Sequence, residues 1–443
     1  MDQPSLARRL GLRNAVAIGL AAMIGAGVFA VFAPAAQAAG AGLMIGLAIA
    51  AFVALANAGS TAQLAARYPE SGGAYRYGRE RLGEWPGFLA GWSFVIGKTA
   101  SCAAMAMTFA AYLAPAAWQR PLAIVAVIAI AAVNLRGITR TARVATVIVI
   151  GVLGVLALVV AAGATATYGG APIDGAPVID LGAGAGAPGQ DWLGILQSAG
   201  LLFFAFAGYA RIATLGEEVR DPSRTIPRAI GIAFAIAVLV YVAVGAAALG
   251  ALGPERLAAS VAPLVDVVEA AGWHWAAPVV RIGAAVAALG ALLALLAGIG
   301  RTSLAMARDD ELPRPLSRIH PRFQVPHVAE IAVAIAVIVL VATVDLRGAI
   351  GFSSFGVLLY YLVANVAAIT QPRSERRVPR ALSAAGAIGC LVLVATLPPV
   401  SIVAGIAVLA IGGAYRIIAR AVRSARRRHG EAGPNDGPRD GRA

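Results

Sequence analysis

Apolar residues in this chain arrive in long runs separated by short polar stretches, and period-two alternation with polar residues is absent. A helix rises about 1.5 Å per residue, so a run of about twenty crosses the ~30 Å hydrocarbon layer of a bilayer. Lipid offers no partner for bare backbone groups, which leaves helices or a closed barrel. Without alternation the barrel drops out. The pattern predicts an all-α polytopic membrane protein with twelve spans. The first six are expected at 14–38, 42–66, 86–115, 121–136, 142–166 and 192–215. The second six are expected at 228–252, 276–306, 327–345, 347–370, 380–397 and 399–419.

Composition sharpens this. The chain is 59% hydrophobic and 13% charged, against about 25% charged in soluble domains. A net charge of +14 on a soluble protein would suggest nucleic acid. Here the arginines fall in alternate loops, as the positive-inside rule describes, and no basic stripe interleaved with aromatics is present. One side collects Arg13, Arg67, Arg79, Arg136, Arg220, Arg308, Arg373 and the stretch from Arg416; the other holds Asp180, Glu255, Asp266 and Glu269. Both termini are therefore expected in the cytoplasm of a cell whose plasma membrane the chain spans. The apolar run from Ala15 to Ala39 is too long for the core of a cleaved signal peptide. Cys102 and Cys390 sit in apolar runs and imply no disulfide framework. The four histidines lack metal-ligand spacing, so no metal or cofactor is expected. No phosphate-binding glycine loop suggests an ATP-driven pump, and no nucleophile–base pair suggests an enzyme. Residues 421–443 read as a basic, disordered tail facing anionic headgroups.

Two runs are interrupted. Span 1 carries Met23-Ile-Gly-Ala-Gly-Val-Phe29 and span 6 carries Phe203-Phe-Ala-Phe-Ala-Gly-Tyr209. Paired interruptions at matching places in two halves point to a transport site at mid-membrane. The amphipathic segment from Pro69 to Trp85, between spans 2 and 3, is echoed by Pro263 to Trp273 between spans 7 and 8. Lys98 is the sole lysine and lies about 13 residues past Trp85, ~19 Å along span 3. Arginine stays charged at such depth, whereas lysine can release its proton, which marks Lys98 as a proton-coupling candidate. Arg211 follows the second interruption closely and is expected to pair with Glu217 or Glu218 as a cytoplasmic gate.

The chain resembles the amino acid–polyamine–organocation superfamily of permeases over residues 10 to 420. The resemblance rests on the first interrupted span, on Tyr68-Pro-Glu-Ser-Gly-Gly-Ala-Tyr-Arg-Tyr77, on Glu217-Glu218 with Asp221-Pro-Ser-Arg-Thr-Ile-Pro-Arg228, and on Ala305-Met-Ala-Arg-Asp309 with His320-Pro-Arg-Phe. It implies a five-plus-five inverted repeat, 14–166 and 192–370, joined by an extracellular loop 167–191 and followed by two further helices within 371–420. Residues 1–13 form a cytoplasmic lead-in. The resemblance also implies an amino acid held at the interruptions by Ile24, Gly25, Ala26 and Gly27 and by Phe204, Ala205, Phe206 and Gly208. Freed amides suit the carboxylate and freed carbonyls the ammonium. Where cation-transporting members carry a carboxylate, this chain has Ala210, which argues against arginine and polyamines. The expectation is a proton-coupled or exchanging amino acid permease. A sodium-coupled carrier and a polyamine antiporter remain as alternatives, and a channel or a transporter-like sensor as alternatives of another class. Oligomeric state is left open.

Overall fold

The computed structural model describes residues 10–68, 72–137, 142–168, 192–213 and 219–430. Among them, ten helices are long and apolar enough to cross a membrane, and two shorter apolar helices, His327–Thr343 and Arg380–Thr396, complete the set as spans 9 and 11. Span 1 comprises Leu12–Met23, Ala26–Ala30 and Phe32–Ala39; span 2 is Leu43–Arg67 and span 3 Glu84–Leu113. Span 4 is Ala116–Leu135 and span 5 Ala142–Tyr168. Span 6 comprises Trp192–Phe206, the 3-10 turn Ala207–Tyr209 and Ala210–Ala213. Spans 7 and 8 are Pro222–Ala259 and Ala277–Arg308, span 10 is Leu346–Ile369 and span 12 is Pro399–Gly430. The ordering and the paired discontinuities are those of an inverted-repeat transporter fold.

Two details depart from the expected boundaries. Span 4 starts at Ala116, so Pro121, where the span is expected to begin, is the sixth residue inside its helix and forgoes one helical hydrogen bond there. Span 12 runs to Gly430, so residues 421–430, expected to open a disordered tail, are helical. The connector 169–191 and the segment 431–443 lie outside the described residues.

The second echo appears as two short helices, Ala74–Leu82 between spans 2 and 3 and Pro263–Ala270 between spans 7 and 8. One follows an even-numbered span and the other an odd-numbered one, which puts them on opposite faces. Gly73 (φ 55°) and Gly83 (φ 102°) bound the first, allowing the chain to turn sharply into and out of it without a Cβ clash.

Packing follows membrane rules. Large apolar side chains such as Val147, Leu239 and Val400 are exposed, as lipid-facing residues should be, while small residues bring spans close inside. A Cβ added at Gly97 of span 3 would lie 3.0 Å from the Ser353 carbonyl and 3.1 Å from Gly356 Cα of span 10. Ser101 and Ser353 are hydrogen-bonded at 2.7 Å across that seam. This close approach sets Lys98 against span 10 and span 6.

At the arginine-rich end, a buried ion-pair network ties four elements together. Arg416 of span 12 is fully buried and donates to Glu311, just past span 8, at 2.7 Å. Its guanidinium lies over Trp85 and Phe88 of span 3, 4.3 and 4.9 Å from the ring centroids. Arg79 of the short helix donates to Glu311 at 3.2 Å, Arg420 pairs with Glu84, and Arg423 donates to the Asp310 carbonyl. The Tyr75 hydroxyl donates to Asp309 at 2.6 Å. Burial, reinforced by that carboxylate, pushes the Tyr75 phenol well above its ordinary value, so it remains a donor.

Candidate functional site

Span 1 breaks where its sequence carries two glycines. The first helix ends at Met23; Ile24 (φ −85°, ψ 39°) and Gly25 (φ −86°, ψ −141°) leave helical geometry, and the chain re-enters a helix at Ala26. Ile24, Gly25, Ala26 and Gly27 are all buried. Span 6 is interrupted more gently, by the 3-10 turn Ala207–Tyr209. A 3-10 turn redirects backbone hydrogen bonds and frees carbonyls without opening the helix fully.

The two interruptions meet. A Cβ at Gly208 would run into the Ala22 carbonyl and lie 2.5 Å from Met23 N, while one at Gly27 would lie 3.0 Å from Ala205 Cα. A Cβ at Gly25 would lie 3.0 Å from the Ala291 Cβ of span 8. The bare faces of these glycines are therefore turned to neighbouring spans. A larger side chain at Gly25 or Gly27 would displace a span before it obstructed the amides of the outer helix. Phe204, Ala205 and Phe206 are buried. Phe206 makes ring contacts with Tyr241 (4.9 Å) and Phe234 (5.8 Å) of span 7, and Phe203 with Tyr361 (5.9 Å) of span 10.

Side chains from other spans hold the carbonyls at both interruptions. The Tyr241 hydroxyl stands 2.6 Å from the Met23 carbonyl and 2.9 Å from that of Ala205, sharing one proton between the two spans. Tyr112 donates to Phe29 at 3.0 Å. The Ala207 carbonyl accepts from the Tyr361 hydroxyl and from Lys98 Nζ, each at 3.2 Å. Tyr361 is stacked on Tyr209 with centroids 4.9 Å apart. Lys98 is buried at 6% exposure, so the sequence position that suggested mid-membrane depth is matched by enclosure. Tyr112, Tyr241 and Tyr361 escaped the sequence reading. Their signal was available, since a tyrosine within an apolar run needs a partner for its hydroxyl.

Arg211 lies half-buried at the far side of the turn. Glu217 and Glu218, its expected gate partners, lie outside the described residues. Just beyond them the chain pairs with its own beginning: Leu10 forms a parallel bridge with Val219, and the Leu10 carbonyl accepts from Arg220 N at 2.9 Å. Among the described residues no group of three or more His, Cys, Asp or Glu side chains could hold a metal ion.

Twelve apolar helices, with two interrupted spans meeting inside the bundle, define a polytopic membrane protein of the inverted-repeat transporter fold. Comparison with known proteins gives the family. Residues 10–419 match the amino acid permease family model, and the chain belongs to that family, within the amino acid–polyamine–organocation superfamily. It is similar to an uncharacterized transporter of Mycobacterium tuberculosis, 56% identical over 422 residues that cover 94% of this chain and 93% of the relative. It is also similar to the branched-chain amino acid permease BcaP of Bacillus subtilis, 28% identical with 93% and 92% covered. A vacuolar cationic amino acid transporter of Arabidopsis thaliana is 28% identical, with 85% of this chain and 62% of the relative covered.

Proposed function

We propose that the protein is a proton-coupled amino acid permease of a bacterial plasma membrane, with both termini cytoplasmic, working by alternating access. The observation that carries this reading is the contact between the two interruptions, Gly208 against Ala22–Met23. It sets the Ala207–Tyr209 turn, whose carbonyls suit an ammonium, against the end of the inner helix of span 1, while Gly27 against Ala205 holds the start of the outer helix, whose amides suit a carboxylate, to the same span 6. Ile24 to Gly27 and Phe204 to Gly208 form the substrate site, Lys98 carries the coupled proton, and Arg211 with Glu217 and Glu218 forms the cytoplasmic gate. Alternating access follows if the inner halves of spans 1 and 6, joined at Gly208, tilt against the spans around them.

Substrate charge follows from the side chains near the site. Arg211 disfavours a second cationic group on the substrate, and Ala210 supplies no carboxylate to balance one. The Bacillus permease for branched-chain amino acids supports the same preference for neutral side chains. Neutral amino acids should therefore raise the thermal midpoint of the purified protein more than arginine or putrescine does. Dibasic ligands giving the larger shift would reverse the assignment.

Coupling through Lys98 has its own test. In proteoliposomes, Lys98→Met should still bind substrate but lose transport driven by an imposed pH gradient. Lys98→Arg should lose it as well, because arginine retains its proton. Wild-type behaviour in Lys98→Arg would reduce the lysine to a fixed charge.

A further inference from the structure

Four carbonyls at the site already accept from side chains of the protein itself. Met23 and Ala205 share the Tyr241 hydroxyl, Phe29 takes Tyr112, and Ala207 takes both Tyr361 and Lys98. A carbonyl oxygen has two lone pairs, so a third donor reaches Ala207 only by displacing one already there. The tyrosine is braced, with its ring packed on Tyr209, Phe203 and Tyr360. Among the described residues, Lys98 has the Ala207 carbonyl as its one hydrogen-bond partner. Of the two, the ammonium is the one that chemically duplicates what an amino acid brings.

We propose that the Lys98 ammonium is an internal stand-in for the substrate's α-ammonium on the Ala207 carbonyl, and that loading the site displaces it and drives its proton into water. This rests on the proposed substrate site. A lysine that keeps its charge but loses its acceptor in a dry interior carries a cost of several kcal/mol, whereas the neutral amine does not. Among the described residues, the titratable groups around it offer no carboxylate to hold that charge. On its own helix stands Cys102, one turn on; span 6 carries Tyr209 and, four residues past Ala207, the half-buried cation Arg211, and span 10 carries Tyr361, bonded to the same carbonyl, with Tyr360 beside it. The Arg301 side chain of span 8 is exposed and interacts with Glu330 of span 9, which is buried beside Gly300. Glu84 begins span 3 fourteen residues before Lys98, about 21 Å along the helix, and is engaged with Arg420.

The consequence is a direction of coupling. The loaded carrier crosses with Lys98 neutral and the empty one returns with Lys98 protonated, so amino acid and proton move in opposite directions. An inward proton gradient then drives amino acid out of the cell.

The test is proton release on binding. Wild-type protein in weakly buffered detergent is titrated with L-leucine, L-alanine and L-serine, with calorimetry for affinity and a pH-indicator dye for protons. Wild type should release up to one proton per amino acid bound. Lys98→Met should release none and bind several-fold more tightly, the competitor being gone. Lys98→Arg should release none and bind more weakly, its guanidinium remaining on the carbonyl. Binding by wild type without proton release, or with proton uptake, overturns the proposal while leaving the substrate site intact. So does a Lys98→Met protein that binds no more tightly. If none of the three amino acids binds wild type, the substrate site itself falls and the proposal with it.

Discussion

Gly208→Val should abolish transport. The Cβ would meet the Ala22 carbonyl and the Met23 amide, which are backbone atoms, so no rotamer change relieves the clash. Either span 6 moves off span 1 or the 3-10 turn is rebuilt, and each outcome separates the two interruptions. Overpacking that forces backbone shifts costs about 1–3 kcal/mol, sometimes more. The matched control is Gly231→Ala in span 7, where an added Cβ meets nothing within 4 Å. That change should leave transport intact and shift stability by a few tenths of a kcal/mol to about 1 kcal/mol, in the stabilising direction. Uptake and thermal midpoint, measured on both, separate loss of the site from loss of the fold. Gly208→Val transporting at the wild-type rate would show that the two spans need not touch.

Arg416→Met should destabilise the protein by about 3 kcal/mol, within the range for breaking a buried ion pair. Methionine can fill the slot between Trp85 and Phe88, but it leaves Glu311, 3% exposed, with weaker support. Arg79 at 3.2 Å and Arg420 at 3.8 Å remain, which keeps the loss below the upper end of that range. Glu311→Gln in the same background should recover part of it by removing the carboxylate's charge. The thermal midpoints of the two single variants and the double variant give the coupling energy directly. Additive losses would mean that Arg416 acts through its ring contacts and not through Glu311.

The parts of this fold that were legible in the sequence are those written in contiguous residues. Runs of about twenty apolar residues gave the spans, Gly25 and Gly27 marked the first interruption, and the paired amphipathic segments became the helices Ala74–Leu82 and Pro263–Ala270. The contacts that build the site were not legible, because they join distant residues. Tyr241 is 218 residues from Met23, and Lys98 is 109 from Ala207; neither bond leaves a local pattern. Arginines were misleading for a related reason. Residues 421–443 read as a basic tail facing lipid headgroups, yet Arg423 turns to the Asp310 carbonyl, just as Arg416 and Arg420 before it turn to Glu311 and Glu84 of other elements. Charge spacing along one helix says which side chains share a face, but not what that face meets.

The short pairing of Leu10 with Val219 bears on how the protein can be handled in the laboratory. Residue 10 is stapled to the segment that follows span 6, so anything fused immediately ahead of it pulls on the inner halves of both interrupted spans. A fluorescent domain attached there through a rigid junction would distort the motion it was meant to watch. Attached through a long flexible spacer, or moved beyond Gly430, the same label would leave that staple closed. A pair of dyes flanking the staple would report, as a change in distance, each time it opened during a transport cycle.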